Sequence, residues 1–325
     1  MNKAQKEKLH TIIDGFAGKS VGVVGDIMLD HYIHGDATRM SQEAPAPILR
    51  AERESFVLGG AANTAANLRA FGAGVMLIGP LGRDEEARAV KALCKKEGIA
   101  CDACIESKAR STTTKTRLIA KGQQIARIDR ESVTPLSPSE EKQILRAIEK
   151  HIPEWHVLVI SDYAKGGMTQ SLAKECVRLA RRYNMPIIVD TKPQHFYFFR
   201  NATAYTPNIH EAEAVFGSAL ANEKDIRDAG RFLQKKTKAN ILITRGADGM
   251  TLFQANRTYH IPSSAREVYD VTGAGDTVIA AFALALAGGA SFSHSATIAN
   301  TAAGVVVGKQ GTATVSQAEV KSALL

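Results

Sequence analysis

Ser20-Val-Gly-Val-Val-Gly25, followed at once by Asp26, sets the reading of the whole chain. A short valine-rich run closed by glycine reads as a buried strand. Similar runs return at Val75 to Gly79, Val157 to Ser161, Pro186 to Asp190 and Ile241 to Thr244. Between them lie helix candidates over 61–71, 84–97, 138–150, 169–183 and 223–236. Strands alternating with helices in this way predict a mostly parallel sheet covered on both faces, the doubly wound α/β class.

Two segments break that rhythm. Residues 31–58 and 111–130 carry shorter polar–apolar runs with no helix between them. Thr114-Lys-Thr-Arg-Leu-Ile-Ala120 and Gln124-Ile-Ala-Arg-Ile-Asp129 read as antiparallel strands joined at Lys121-Gly122. A small antiparallel sheet projecting from the body reads as a lid, a dimer contact or an ordinary hairpin insertion. Residues 1–325 are expected to form a single domain carrying this insertion.

Bulk properties exclude several classes. Apolar residues make up 45% of the chain, enough for a sizeable core. The net charge of +8 suggests an anionic ligand. The lysines and arginines are scattered, and no nucleic-acid-binding motif accompanies them, so nucleic acid is not an expected partner. Cys101-x-x-Cys104 has no second metal-ligand pair, so the four cysteines read as reduced thiols. Met1 to Lys19 lacks the apolar core of a signal peptide. The apolar run Val278 to Ala290 is shorter than the roughly 20 residues of a membrane span. A soluble, cytoplasmic protein is expected.

Ligands of open α/β sheets bind beyond the carboxyl ends of the strands. The strongest chemical signal is Asp270-Val-Thr-Gly-Ala-Gly-Asp276, followed by the small apolar helix Thr277 to Ala287. Gly273, Ala274 and Gly275 let the backbone approach a ligand closely at a helix N-terminus, whose free N–H groups and dipole favour an anion. Such a hole suits a phosphoryl group in flight. Asp276, at its edge, can accept the proton of an attacking hydroxyl. The plainer alternative, a glycine-rich helix start capped by an Asp, does not account for the full heptad with a small-residue helix behind it.

This heptad resembles the signature of the ribokinase (pfkB) family of carbohydrate kinases. Gly59-Gly60-Ala-Ala-Asn63-Thr-Ala65 resembles the family's other signature, and the two stand in the family's order. The resemblance implies ATP as phosphoryl donor, a Mg²⁺-type divalent ion, and sugar hydroxyls held by Gly59, Gly60 and Asn63. Asp26 looks like the family's sugar-binding Asp; Asp30 reads equally as a helper or as surface charge. Asn208-Ile-His-Glu211 resembles the family motif supporting the metal–phosphate site, with Glu211 reaching the ion partly through water, although a capped helix start fits it as well. Thr244-Arg245-Gly246-Ala-Asp-Gly249 resembles the nucleotide-side loop, with Arg245 able to touch phosphates. Asn300 and Gly304 fall where family members flank adenine, and Lys192 is a phosphate candidate.

A narrower resemblance concerns the sugar. Gly25-Asp-Ile-Met-Leu-Asp30, Arg39-Met-Ser-Gln-Glu-Ala-Pro45, Ser161-Asp-Tyr-Ala-Lys-Gly166, Glu267 to Asp276 and Ala302 to Lys309 are similar to kinase domains acting on D-glycero-D-manno-heptose 7-phosphate. That implies a 1,7-bisphosphate product for ADP-heptose and lipopolysaccharide core synthesis. A phosphorylated acceptor needs cations away from Asp276; Lys115, Arg117, Arg127 and Lys165 are candidates, against the alternative of solvated surface residues. Two departures stand out: Asp190-Thr-Lys-Pro193 where the family has Pro before Lys-Gly, and Gln42 where Pro is commoner. The resemblance also implies a homodimer formed through the lid. No nucleotidyltransferase domain is read in 1–325, so the chain reads as either a separate kinase or an isolated kinase domain, with the pathway's adenylyltransferase expected on another polypeptide. The rival readings are a family kinase for another sugar, sugar phosphate or nucleoside, a non-catalytic sugar-binding protein, and an NAD-dependent oxidoreductase. The first strand lacks the G-x-G-x-x-G that the last would need.

Overall fold

Val21 to Gly25 are buried without exception, because the strand they form lies inside a sheet with helices on both sides. The computed structural model describes residues 3–265 and 267–324. Helix α1 (Lys3–Asp14) leads into β1 (Ser20–Gly25). Two long strands follow, β2 (Ile27–Met40) and β3 (Pro47–Gly60), then α2 (Ala61–Ala70), β4 (Gly74–Ile78), β5 (Pro80–Leu81), α3 (Glu85–Glu97) and β6 (Ile105–Glu106). Next come β7 (Thr113–Ala120), β8 (Gln123–Arg130), α4 (Pro138–His151), β9 (Val157–Asp162), α5 (Gln170–Arg182), β10 (Ile187–Thr191) and β11 (Ala204–Tyr205). The chain continues through α6 (Ile209–Phe216), α7 (Glu223–Thr237), β12 (Asn240–Thr244), β13 (Met250–Gln254) and β14 (Arg257–Ile261). It closes with α8 (Ala274–Ala287), α9 (Phe292–Val306) and α10 (Gln317–Ala323).

The main sheet has eight strands in the order β14-β13-β12-β11-β10-β9-β1-β4. Pairing is parallel from β4 to β12 and antiparallel through β13 and β14. Successive strand residues point to opposite faces, and the apolar residues sort accordingly. Val21, Val23, Val157, Val159 and Ile188 enter one core with α2, α8 and α9. Val24, Leu158, Ile160, Ile187 and Val189 enter the other with α4, α5 and α7. This two-core arrangement is the doubly wound sheet the alternation predicts. Helix α8 is buried from Asp276 to Ala285, which its all-round apolar sequence requires.

The predicted lid is a second sheet of four strands, β3-β2-β7-β8. The Lys121-Gly122 turn forms as expected, with positive φ at both residues (50° and 80°), as a two-residue hairpin turn needs. One feature differs from the expected antiparallel sheet. Strands β2 and β7 pair in parallel, since the whole of β3 to β6 intervenes between them. The four cysteines are free thiols. Among the described residues, no helix is long and apolar enough to cross a membrane.

Candidate active site

The carboxyl ends of β1, β9, β10 and β12 converge on the start of α8. Gly273 caps that helix with φ 78°, and no side chain takes the cap position. A Cβ at Gly273 would lie 2.8 Å from Asn63 Nδ2, so neither the turn nor the contact admits a larger residue. A Cβ at Gly275 would meet nothing within 4 Å, so the first turn of α8 faces open space. The first N–H groups of a helix lack intrahelical partners, and here they border that space.

Asp276 is buried at the edge of this opening. Its Oδ2 accepts from Asn63 Nδ2 at 2.7 Å; its Oδ1 accepts from Thr64 Oγ1 at 2.7 Å and from the Tyr163 hydroxyl at 3.0 Å. Burial raises its pKa above the ordinary carboxylate value, while the bonds from Thr64, Asn63 and Tyr163 pull it down. Burial and the Asp276 charge push the Tyr163 phenol well up, so it stays a hydrogen-bond donor. Helix α2 presents Asn63 and Thr64 because Ala61, Ala62 and Ala65 pack closely beside α8. A second polar tie, Thr277 Oγ1 to Asn67 Oδ1 at 2.7 Å, locks the two helices in register. Asp270 anchors the loop before α8 by accepting from Thr272 N (2.9 Å) and Gly311 N (3.0 Å).

Two buried carboxylates, Asp26 and Asp30, stand near the β1 end of the site and differ in their partners. Asp26 does not present a free carboxylate. Its oxygens accept from the backbone N–H of Tyr163 (2.9 Å), Lys165 (3.0 Å) and Gly167 (2.8 Å), which clamps the loop after β9. Asp30 is buried rather than surface charge, and it lies against Gly59, where a Cβ would come within 2.9 Å of its Oδ2. Gly60, with φ 56°, turns the chain into α2. Arg117 Nη1 donates to Asp30 Oδ1 at 2.6 Å. The other candidate cations are also matched by carboxylates: Lys115 by Asp129 (3.8 Å), Arg127 by Asp129 (2.8 Å) and Lys165 by Glu131 (2.7 Å).

On the other side of Asp276, Lys192 Nζ bonds Glu211 Oε1 at 2.6 Å and sits 5.2 Å from the Tyr163 ring centre. Burial pulls its ammonium down, but Glu211 and Asp190 outweigh burial and hold it above its ordinary value. Asn208 and Glu211 form a reciprocal capping box at α6, so the plainer reading of that motif is realised in full. Burial and the Glu211 charge push Asp190 well up. Among the described residues, no group of three or more His, Cys, Asp or Glu is placed to hold a metal. The donors near Lys192 are carboxylate oxygens, those of Asp190 and Glu211. They suit a hard ion that takes one or two carboxylates and keeps its waters, and do not suit zinc.

A cavity of about 300 Å³ opens beside the α8 N-terminus. Thr244, Gly246, Gly249, Gly275, Asn300 and Gly304 line it, with apolar Val268, Val271 and Val307. Arg245 does not share it. Its guanidinium turns back to Glu223 Oε1 (2.5 Å) and Thr251 Oγ1 (3.1 Å), because a nearly buried cation demands such partners. Sequence reasoning missed Thr64 and Tyr163 as partners of Asp276, although both stand inside quoted motifs. It also missed the Asp162 junction, where Thr191 Oγ1 (2.6 Å), His195 Nδ1 (2.8 Å) and Ala164 N (2.9 Å) meet one carboxylate.

Residues 19–319 match the pfkB family carbohydrate kinases. The chain is 43% identical over 304 residues to the bifunctional protein HldE of Geobacter sulfurreducens, covering 93% of this chain and 62% of that protein. It thus spans less than two thirds of the length of such curated relatives. Phosphofructokinase-2 from Escherichia coli, in complex with potassium, superposes with a TM-score of 0.79 at 20% identity, covering 94% of this chain and 97% of that one. Arabidopsis thaliana ribokinase, complexed with ribose and ATP, superposes at 0.73 and 20% identity, covering 94% and 98%. At these identities the two structures speak for the fold alone.

Proposed function

The chain belongs to the pfkB family of carbohydrate kinases, and from that premise we propose that it phosphorylates the anomeric hydroxyl of D-glycero-β-D-manno-heptose 7-phosphate. The carrying observation is Asp276, buried and held by Asn63, Thr64 and Tyr163 beside the open first turn of α8. In this reading adenine occupies the cavity lined by Gly246, Asn300 and Gly304, and the triphosphate runs toward Gly275. Asp276 removes the proton of the acceptor hydroxyl as the hydroxyl oxygen attacks the γ-phosphorus, and ADP leaves with the β–γ bridging oxygen. The α8 N–H groups and Lys192 stabilise the charge on the transferring phosphoryl oxygens. Asp190 and Glu211 are the residues that would support a Mg²⁺-type ion, which would supply positive charge against the phosphates. Asp30 and Asn63, with the backbone at Gly59 and Gly60, receive the sugar hydroxyls.

The heptose acceptor is supported by the quoted sequence runs and by the HldE relatives. The 1,7-bisphosphate would serve ADP-heptose and lipopolysaccharide core synthesis in the cytoplasm. We further infer a homodimer through the lid, where Phe56 and Ile128 are exposed. The test is ADP release across a panel of heptose 7-phosphate, ribose, fructose phosphates and nucleosides. Turnover on heptose 7-phosphate supports the proposal, and its absence beside turnover on another acceptor defeats it. Asp276→Asn is expected to retain ATP binding while kcat falls by about a hundredfold or more. Near-normal turnover would remove Asp276 as the base.

A further inference from the structure

Four cations were candidates for the acceptor's distal phosphate, and each has a carboxylate partner. Arg53 differs: it forms no ion pair among the described residues. It stands on β3 directly opposite His34 of β2, just before the pairing shifts to Gly35 with Ala51. That shift leaves Glu52 as the extra residue of a bulge, the kind of irregularity that aims a neighbouring side chain. By strand alternation Arg53, Ser55 and Val57 share one face with Asp30, Tyr32 and His34. Arg117 joins them across the β2–β7 pairing, opposite Tyr32.

This face looks into a cavity of about 590 Å³. Its roof is the lid, with Arg53, His34 and Arg117; its floor is Asp270, Thr272 and the Gln310-Gly311-Thr312 loop. The cavity adjoins the catalytic centre. Thr312 and Asn63 both border the space beside the Gly273 Cα, and Asn63 bonds Asp276. Asp270, the floor carboxylate, already accepts from Thr272 N and Gly311 N, and Arg117 is shared with Asp30. The charge with no partner in this space is therefore the Arg53 guanidinium.

We propose that this cavity is the docking site for a phosphate carried on the acceptor sugar, with Arg53 as its main contact and His34 beside it. The inference rests on the acceptor being phosphorylated, as the proposed function has it. The geometry orders the acceptor: hydroxyl at Asp276, ring along Asp30 and Asn63, phosphate under the lid. An arginine fork suits a phosphate by bidentate hydrogen bonding. Arg53 is a specificity residue in this scheme and stays clear of the reacting atoms.

The test compares the wild type with Arg53→Ala and Arg53→Lys, using heptose 7-phosphate and the same heptose without phosphate. Loss of one charge-assisted contact is expected to raise KM for the phosphorylated sugar about tenfold to a hundredfold, with kcat changed far less. The preference for phosphorylated over plain sugar should shrink by the same factor. Arg53→Lys should recover part of it. Inorganic phosphate should compete with the acceptor in the wild type and at least tenfold more weakly in Arg53→Ala. An Arg53→Ala enzyme with wild-type KM and wild-type phosphate inhibition would overturn the proposal. So would a wild-type enzyme that uses only unphosphorylated acceptors. If a different sugar phosphate is the acceptor and Arg53→Ala raises its KM, the docking site stands and the heptose reading falls.

Discussion

At the residue scale the chemistry turns on a carboxylate that burial disfavours and three donors defend. Asp276 has a pKa raised mainly by burial, so its protonated form is the one the fold prefers. That stabilising contribution is complete below the ordinary Asp value of about 3.9 and is lost as pH rises through the raised value. At working pH the ionised base therefore costs stability. Asp276→Asn should melt a few degrees higher while losing turnover, and an unchanged or lower melting temperature would contradict this account. Catalysis has the opposite sign, because the base must be ionised: kcat should fall on the acid side through a pKa above the usual carboxylate range. Tyr163→Phe removes one of the bonds that lower this pKa. The acid limb of its kcat profile should move to higher pH, and a profile lowered evenly at every pH would deny Tyr163 this role. Asp276 was legible in the sequence because a carboxylate after G-A-G has few other uses. Tyr163 was not, since it reaches Asp276 across 113 positions and nothing local in Ser161-Asp-Tyr-Ala marks the contact.

At the element scale, the site exists because α2 and α8 approach closely through alanines and glycines. Gly273→Ala tests that approach. The new methyl would sit 2.8 Å from Asn63 Nδ2 on a backbone at φ 78°, displacing the amide that holds Asp276 Oδ2. Left-handed backbone alone costs a non-glycine residue about 1–2 kcal/mol, and the clash adds to it. Thermal unfolding should show a loss of about 2–3 kcal/mol with a concurrent fall in kcat; wild-type stability and turnover would show that the loop can relax. The elements themselves were readable from periodicity, since each buried strand is a run of valines and isoleucines. Their partners were less so. The parallel β2–β7 pairing joins segments some eighty residues apart, as in Leu29 with Thr114. Motifs record the residue types at Arg245 and Glu211, whereas the nearest unsatisfied partner decides where each side chain turns. Glu223 lies within reach of one, and Lys192 with the Asn208 backbone within reach of the other.

At the scale of the whole molecule, the sheet and its two cores follow from sequence alternation, but the lid needs something more. A four-stranded sheet standing off the body has two faces, and only the inner one meets the active-site cavity. On the outer face His31 stacks on Phe56, with ring centres 4.4 Å apart. Phe56 and Ile128 line a cavity of about 460 Å³ against α3 and remain 45% and 58% exposed. Apolar groups left open on a sheet face favour a second sheet stacked upon them. The proposed homodimer supplies it, and the identical face of a second copy is the natural occupant under two-fold symmetry. Light scattering at micromolar concentration should therefore give twice the 34.9 kDa chain mass. Phe56→Glu combined with Ile128→Glu places charges in that interface and should yield the single-chain mass, with ATP binding kept because the nucleotide cavity lies on the body. A wild-type protein that is monomeric at this concentration would remove the dimer. A double variant that stays dimeric would move the interface away from the lid.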